Sequence, residues 1–142
     1  MNETGPRSPF VLLAEDNPEH QLITRGLLEE CGCEVIEAAN GEEAVRLAKL
    51  KRPDMILLDL RMPVVDGLEA ARRIREASGL GDVPMVAYTA IYSYSLTELA
   101  SAAGFDEYLK KPVTLGMMAE LLDRYLPERP TRGERATDAG TN

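Results

Sequence analysis

The sequence predicts an α/β fold built on a five-stranded parallel sheet, with helices on both faces. Three observations lead there. Short apolar runs alternate five times with longer amphipathic segments. One run, Met55 to Leu58, is apolar at every position, as in a strand buried on both faces. Asn, Asp, Gly and Pro stand at most of the junctions. Crossovers between parallel strands are right-handed almost without exception. The common five-stranded solution is the doubly wound, flavodoxin-like order 2-1-3-4-5, with its crevice between strands 1 and 3.

The elements follow in order. Residues 1–8 carry Gly5 and Pro6 among polar residues and read as a flexible tail. Phe10 to Ala14 is a first strand ending in Glu15-Asp16. Asn17 suits a helix N-cap and Pro18 the first helical position. Leu22, Ile23, Leu27 and Leu28 give the first helix its apolar positions, and Gly32 ends it. Glu34 to Ala38, less apolar, is expected at a sheet edge. Asn40-Gly41 turns into a second helix with Ala44, Val45, Ala48 and Leu50 as apolar positions, stopped by Pro53. The opening run is the third strand, and Met62-Pro63 breaks it. A third helix is predicted from about Asp66 to Ala77, with Leu68, Ala71 and Ile74 inward and Arg72, Arg73 and Arg75 on a solvated face. Met85 to Tyr88 is a fourth strand ending at Thr89-Ala90. Tyr92 to Ala103 is a weakly charged helix with an expected inward stripe of Tyr92, Leu96, Leu99 and Ala103; Tyr94 then faces out. Asp106 to Leu109 is a fifth strand, followed by Lys110-Lys111-Pro112. The last helix is predicted from about Thr114 to Leu126, with Met117, Leu121 and Leu122 inward. Residues 9–127 therefore form one domain, and 128–142 read as a disordered tail. Helices 1 and 5 are expected on one face, helices 2, 3 and 4 on the other.

Composition narrows the function classes. A net charge of −8 argues against direct binding to nucleic-acid backbones. The charges of both tails cancel, so the acidic excess belongs to the body of the domain. No apolar run approaches the ~20 residues that span a bilayer, and Met1 to Pro9 lacks a signal peptide's apolar core. A cytoplasmic location and no membrane association are the resulting expectations. Cys31 and Cys33 offer too few ligands for a metal site, and packing at a helix end accounts for them.

The strand ends carry the chemistry. Strand 1 delivers Glu15 and Asp16, strand 3 Asp59, strand 4 Thr89 and strand 5 Lys111; the topology brings all five to one rim. Each has a bland alternative: an acid pair at a helix N-terminus, a cap, a structural threonine, a loop lysine. Together they suit transfer of a phosphoryl group onto a carboxylate. Three acids in one pocket call for a hard cation with oxygen ligands, and Mg²⁺ fits. Asp59 is then the nucleophile, Lys111 a point charge for a phosphoryl oxygen, and Thr89 a hydroxyl donor to another.

These residues, in the segments Leu13-Ala14-Glu15-Asp16-Asn17, Leu57 to Gly67, Tyr88-Thr89-Ala90 and Tyr108-Leu109-Lys110-Lys111-Pro112, resemble the receiver domain of two-component response regulators, in its single-domain, chemotaxis-receiver-like form. The resemblance spans roughly residues 9 to 127. It implies that Asp59 is the phosphoacceptor, that Glu15, Asp16, Asp59 and the backbone carbonyl of Arg61 surround Mg²⁺, that Lys111 binds the phosphoryl group, and that Thr89 and Tyr108 form the switch pair. Glu15 stands where Asp is commoner in the family, and its longer arm is expected to reach the metal through water. The implied phosphodonor is a histidine kinase or phosphotransfer protein. The implied output is a downstream protein target, or a homodimer, through helix 4, strand 5 and helix 5. Such a chain is a signalling phosphoacceptor that catalyses its own phosphorylation and slow dephosphorylation, rather than an enzyme acting on other molecules. The segment Ile91 to Ser95 is less charged than is usual for the family. An alternative is a receiver-fold interaction module independent of phosphorylation, but such modules usually lack an acid or the lysine. A phosphatase of the haloacid-dehalogenase type needs an acid two residues after the nucleophile, where Arg61 stands. The lone His20 is expected as an exposed residue of helix 1.

Overall fold

The computed structural model describes residues 8–62 and 65–130. Pro63 and Val64, the expected break after strand 3, lie outside the described residues, as do most of the two expected tails. The elements are β1 (Phe10–Ala14), α1 (Pro18–Glu30), β2 (Glu34–Ala38), α2 (Gly41–Lys51), β3 (Met55–Asp59), α3 (Gly67–Glu76), β4 (Met85–Thr89), α4 (Tyr94–Ala103), β5 (Glu107–Lys110) and α5 (Leu115–Tyr125). The strands are parallel and ordered β2-β1-β3-β4-β5, as predicted. Register pairs Ala14 with Leu58, Asp59 with Tyr88, and Thr89 with Lys110, so the strands end together on one rim.

The sheet divides the core in two because successive side chains of a strand point to opposite faces. Leu12, Ile56, Leu58 and Ala87 pack with α2, α3 and α4. Val11, Leu13, Met55, Leu57, Val86 and Tyr88 pack with α1 and α5. Each helix begins on a side-chain cap that bonds an otherwise unpaired backbone N–H: Asn17, Asn40, Asp66, Ser93 and Thr114. All five caps sit in the loops that leave the rim from β1, β2, β3, β4 and β5. They fix where each strand stops.

Helix rotation differs from the sequence expectation in several places. In α1 the buried line is Thr24 and Leu28, continued by Cys31, while Leu22 and Ile23 are 72% and 60% exposed. In α2, Leu47 is buried and Leu50 exposed; in α5, Met118 replaces Met117. Helix α4 starts at Tyr94 because Ser93 caps it, which leaves Tyr92 outside the helix. Its inner line is Leu96, Ala100 and Ala103, and Leu99 and Tyr92 are exposed; Tyr94 faces out, as expected. Arg75 is not on a solvated face. Its guanidinium donates to the carbonyls of Gly104, Leu80 and Val83 and pairs with Asp106, clamping α3 to the loop that enters β4 and to the turn that enters β5. Arg72 and Arg73 do lie on the surface, paired with Glu69.

Beyond α5 the chain does not leave the body at residue 128. Arg129 donates to the Cys31 carbonyl at 2.8 Å, and Pro130 is buried against Gly32. A Cβ on Gly32 would lie 2.0 Å from the Pro130 carbonyl oxygen, and its φ of 95° already favours glycine. Cys31 and Cys33 are buried, free thiols at this corner. The revised α1 face has a direct consequence. Leu28→Ala is expected to cost about 2–5 kcal/mol of stability, whereas Leu22→Ala stays within about 0.5 kcal/mol. Chemical denaturation of the two variants distinguishes this face from one centred on Leu22 and Ile23, which predicts comparable losses.

Candidate functional site: a carboxylate cluster at the sheet rim

Glu15 and Asp16 follow β1, and Asp59 is the last residue of β3. The sheet order places these strands side by side, so the three acids face the crevice between them. One carboxylate oxygen from each falls within 4.8 Å of the other two. Glu15 and Asp59 are buried, while Asp16 is exposed. The pocket above them, about 410 Å³, is also lined by Asn17, Pro18, His20, Arg61, Thr89, Ala90 and Lys111. Every residue singled out for chemistry in the sequence therefore lines this pocket except Tyr108.

Lys111 crosses the pocket. Its Nζ donates to Glu15 Oε1 at 2.7 Å and to Asp59 Oδ2 at 2.9 Å. The Lys111 N–H donates to the Thr89 carbonyl, tying the β5 loop to the end of β4, and the Lys111–Pro112 peptide is cis. Asp59 Oδ1 accepts from the Arg61 N–H at 3.0 Å, an Asx-type contact that turns the chain directly after the strand. Behind it, a Cβ on Gly67 would sit 2.5 Å from the Asp59 carbonyl oxygen, so the start of α3 approaches β3 more closely than a side chain allows.

The two buried acids differ. Burial pushes the Asp59 carboxyl up, and the Arg61 N–H and Lys111 only partly oppose this. Burial also acts on Glu15, but hydrogen bonds from Lys111, Tyr88 and the Asn17 N–H outweigh it and hold the carboxyl below its usual value. For Lys111, burial favours the neutral amine, but its two carboxylate partners prevail and raise its pKa.

Two side chains join the site that the sequence did not single out. The Tyr88 hydroxyl donates to Glu15 Oε1 at 2.7 Å, and the Lys111 Nζ sits 4.7 Å from the centre of the Tyr88 ring. His20 is exposed, as expected, yet its Nδ1 lies 3.2 Å from Lys111 Nζ and 4.0 Å from Glu15 Oε1. In the sequence Tyr88 is simply an aromatic residue closing an apolar strand. The only available signal for His20 was its place in the first turn after the Asn17 cap, which points it over the rim.

Thr89 is fully buried, and its hydroxyl oxygen is the only buried side-chain polar atom among the described residues that lacks a hydrogen-bond partner. A buried hydroxyl left unpaired is costly, and such exceptions mark strain or an absent ligand. Tyr108 packs its ring against the α2–α4 half of the core and donates its hydroxyl to the Ile91 carbonyl. The Tyr92 ring meets it edge-on, with centroids 5.8 Å apart and planes at 81°.

Comparison with known proteins agrees with this geometry. Residues 11–123 match the family model for the response regulator receiver domain. The polar-differentiation response regulator DivK of Brucella anthropi is 34% identical over 116 residues, which cover 82% of this chain and 94% of DivK. The receiver domain of a sensor histidine kinase from Pseudomonas aeruginosa PAO1 was crystallised with a magnesium ion coordinated in its active-site cleft. It superposes with a TM-score of 0.80 at 37% identity, over 84% of this chain and 98% of that one. The chemotaxis protein CheY4 of Vibrio cholerae gives 0.79 at 29% identity, over 84% and 99%. The crevice acids, the bridging lysine, the strand order and these likenesses together identify the chain as a member of the response regulator receiver domain family, the phosphoaccepting module of two-component signalling.

Proposed function

We propose that Asp59 takes the phosphoryl group and that Thr89 and Lys111 receive its oxygens. The observation that carries this reading is the unpaired, fully buried hydroxyl of Thr89 beside Asp59 and Lys111. A phosphoryl oxygen would give it an acceptor. The donor is a phosphohistidine of a kinase or phosphotransfer protein, or a small acyl phosphate. A carboxylate oxygen of Asp59 attacks phosphorus, the bond from phosphorus to the leaving group breaks, and a mixed anhydride forms. Water later attacks the same phosphorus, releasing inorganic phosphate and restoring the carboxylate. The chain itself supplies the carboxylate nucleophile of Asp59 and the ammonium of Lys111 beside it. Among the described residues no helix is long and apolar enough to cross a membrane, in keeping with a partner met in solution.

The donor set fits Mg²⁺. Glu15, Asp16 and Asp59 offer hard oxygens within reach of one centre, and the Arg61 carbonyl follows Asp59 by two residues. Bound there, the ion supplies positive charge that offsets the acids and polarises the incoming phosphoryl oxygens. Asp16 is the exposed member of the three.

Output is assigned to Thr89 and Tyr108. Drawing the Thr89 hydroxyl toward a phosphoryl oxygen alters the space next to Tyr108, whose hydroxyl already holds the Ile91 carbonyl one turn before α4. The loop from β4 to α4 is thus coupled to β5, and the face of α4, β5 and α5 changes its affinity for a protein partner or a second copy.

Incubation with acetyl phosphate tests the chemistry. Intact mass should rise by one phosphoryl group in the presence of Mg²⁺, map to Asp59, and fail to rise in Asp59→Asn; in Asp16→Ala the gain should need far more Mg²⁺. Equal labelling of Asp59→Asn contradicts the assignment. Amide hydrogen exchange with and without beryllium fluoride tests the switch. The largest change is expected over residues 89–109, and Thr89→Ala should remove most of it; a change confined to the loops around Asp59 contradicts the coupling.

A further inference from the structure

Glu15 is only 1% exposed, so its carboxylate depends on protein donors. Its oxygens are served unequally. Oε2 accepts one bond, from the Asn17 N–H at 3.0 Å. Oε1 accepts two, from the Tyr88 hydroxyl and from Lys111 Nζ, both at 2.7 Å. The phenol is immobile by construction. Tyr88 lies in β4 with 1% exposure, inside the apolar cluster that the sheet shares with α1 and α5. Lys111 is the partner that must move. In the reading above its ammonium receives a phosphoryl oxygen on Asp59, which draws it away from Glu15.

We propose that Tyr88 is a positioning residue that keeps Glu15 Oε1 paired while Lys111 leaves it for the phosphoryl group. With the phenol in place, Oε1 retains a donor throughout. Without it, Lys111 becomes the sole protein donor to a buried anionic oxygen, and its departure leaves that oxygen to the bound cation alone. The ammonium is then held on Glu15 and lost to the phosphoryl group. The Tyr88 ring adds a second contribution: its face, 4.7 Å from Nζ, offers the cation an attractive surface on either side of the move. This role suits a glutamate at the first acid position, because the longer arm is what carries Oε1 back to the phenol. An aspartate there would stop one methylene short. The inference deepens the proposed function and rests on the assignment of Asp59 and Lys111 to the phosphoryl site.

Binding of beryllium fluoride in saturating Mg²⁺, followed by ¹⁹F NMR, tests it in four chains: the parent, Tyr88→Phe, Glu15→Asp and the double variant. Tyr88→Phe keeps the ring and the packing, and thermal unfolding monitors that each chain is folded. We expect Tyr88→Phe to weaken binding about tenfold, the worth of one hydrogen bond to a buried charged group. In the Glu15→Asp background the same change should weaken binding less than about twofold, because the shorter acid no longer meets the phenol. Parent-like binding by Tyr88→Phe overturns the inference, as does a loss of equal size in both backgrounds, which marks a merely structural tyrosine. Failure of the parent itself to bind overturns the phosphoryl-site assignment, and this inference with it.

Discussion

One ammonium group makes this site possible. Lys111 Nζ lies 2.7 Å from Glu15 and 2.9 Å from Asp59, two carboxylates with almost no exposed surface. Burying one such charge is expensive, and burying two of the same sign beside a third acid is more so. The ion pair offsets part of that cost while Asp59 still lines the pocket. It also spans the sheet, since Glu15 follows β1, Asp59 ends β3 and Lys111 follows β5. The strands are held in their order by backbone pairing, but the rim is held by charge.

The rest of the fold fixes the geometry of that charge. In-register strand ends put the acids level with Thr89. Helix caps at Asn17 and Asp66 stop β1 and β3 from continuing and turn the chain away from the crevice. Gly67 lets α3 close in behind Asp59. Arg75 ties α3 to the carbonyls of Leu80 and Val83 before β4 and of Gly104 before β5, so the part of the sheet that carries Thr89 and Tyr108 is braced at the end opposite the rim. Stability and function thus reside in different layers of one domain: an apolar double core beneath, a polar rim above.

Strand identity and sheet order were legible in the sequence, because buried parallel strands leave uninterrupted apolar runs such as Met55 to Leu58, and the weaker Glu34 to Ala38 falls at the edge. Site residues were legible because topology alone sends the strand ends to one rim. Helix faces were less so. In α1 the inward line runs through Thr24, a polar residue, while Leu22 and Ile23 are left outside, and no apolar count reveals that. In α4 the cap at Ser93 takes Tyr92 out of the helix and gives its ring to Tyr108, which rotates the expected stripe onto Ala100. Arg75 looked like one more charge in an arginine cluster, but only it lies opposite free carbonyls. Tyr88 was invisible as a site residue for the same reason: its hydroxyl acquires meaning only from a carboxylate distant in sequence, at the end of a strand two places away in the sheet.

The stability of Lys111→Met in metal-free buffer, measured by denaturant unfolding with and without added Mg²⁺, tests the central claim most directly. Removing the ammonium leaves buried carboxylates without their counter-charge, so the account predicts a loss of about 3 kcal/mol. It further predicts that Mg²⁺ restores more stability to the variant than it adds to the parent, because the cation then supplies the only neutralising charge. A variant as stable as the parent, with the same gain from Mg²⁺, would contradict the claim that this ion pair organises the rim.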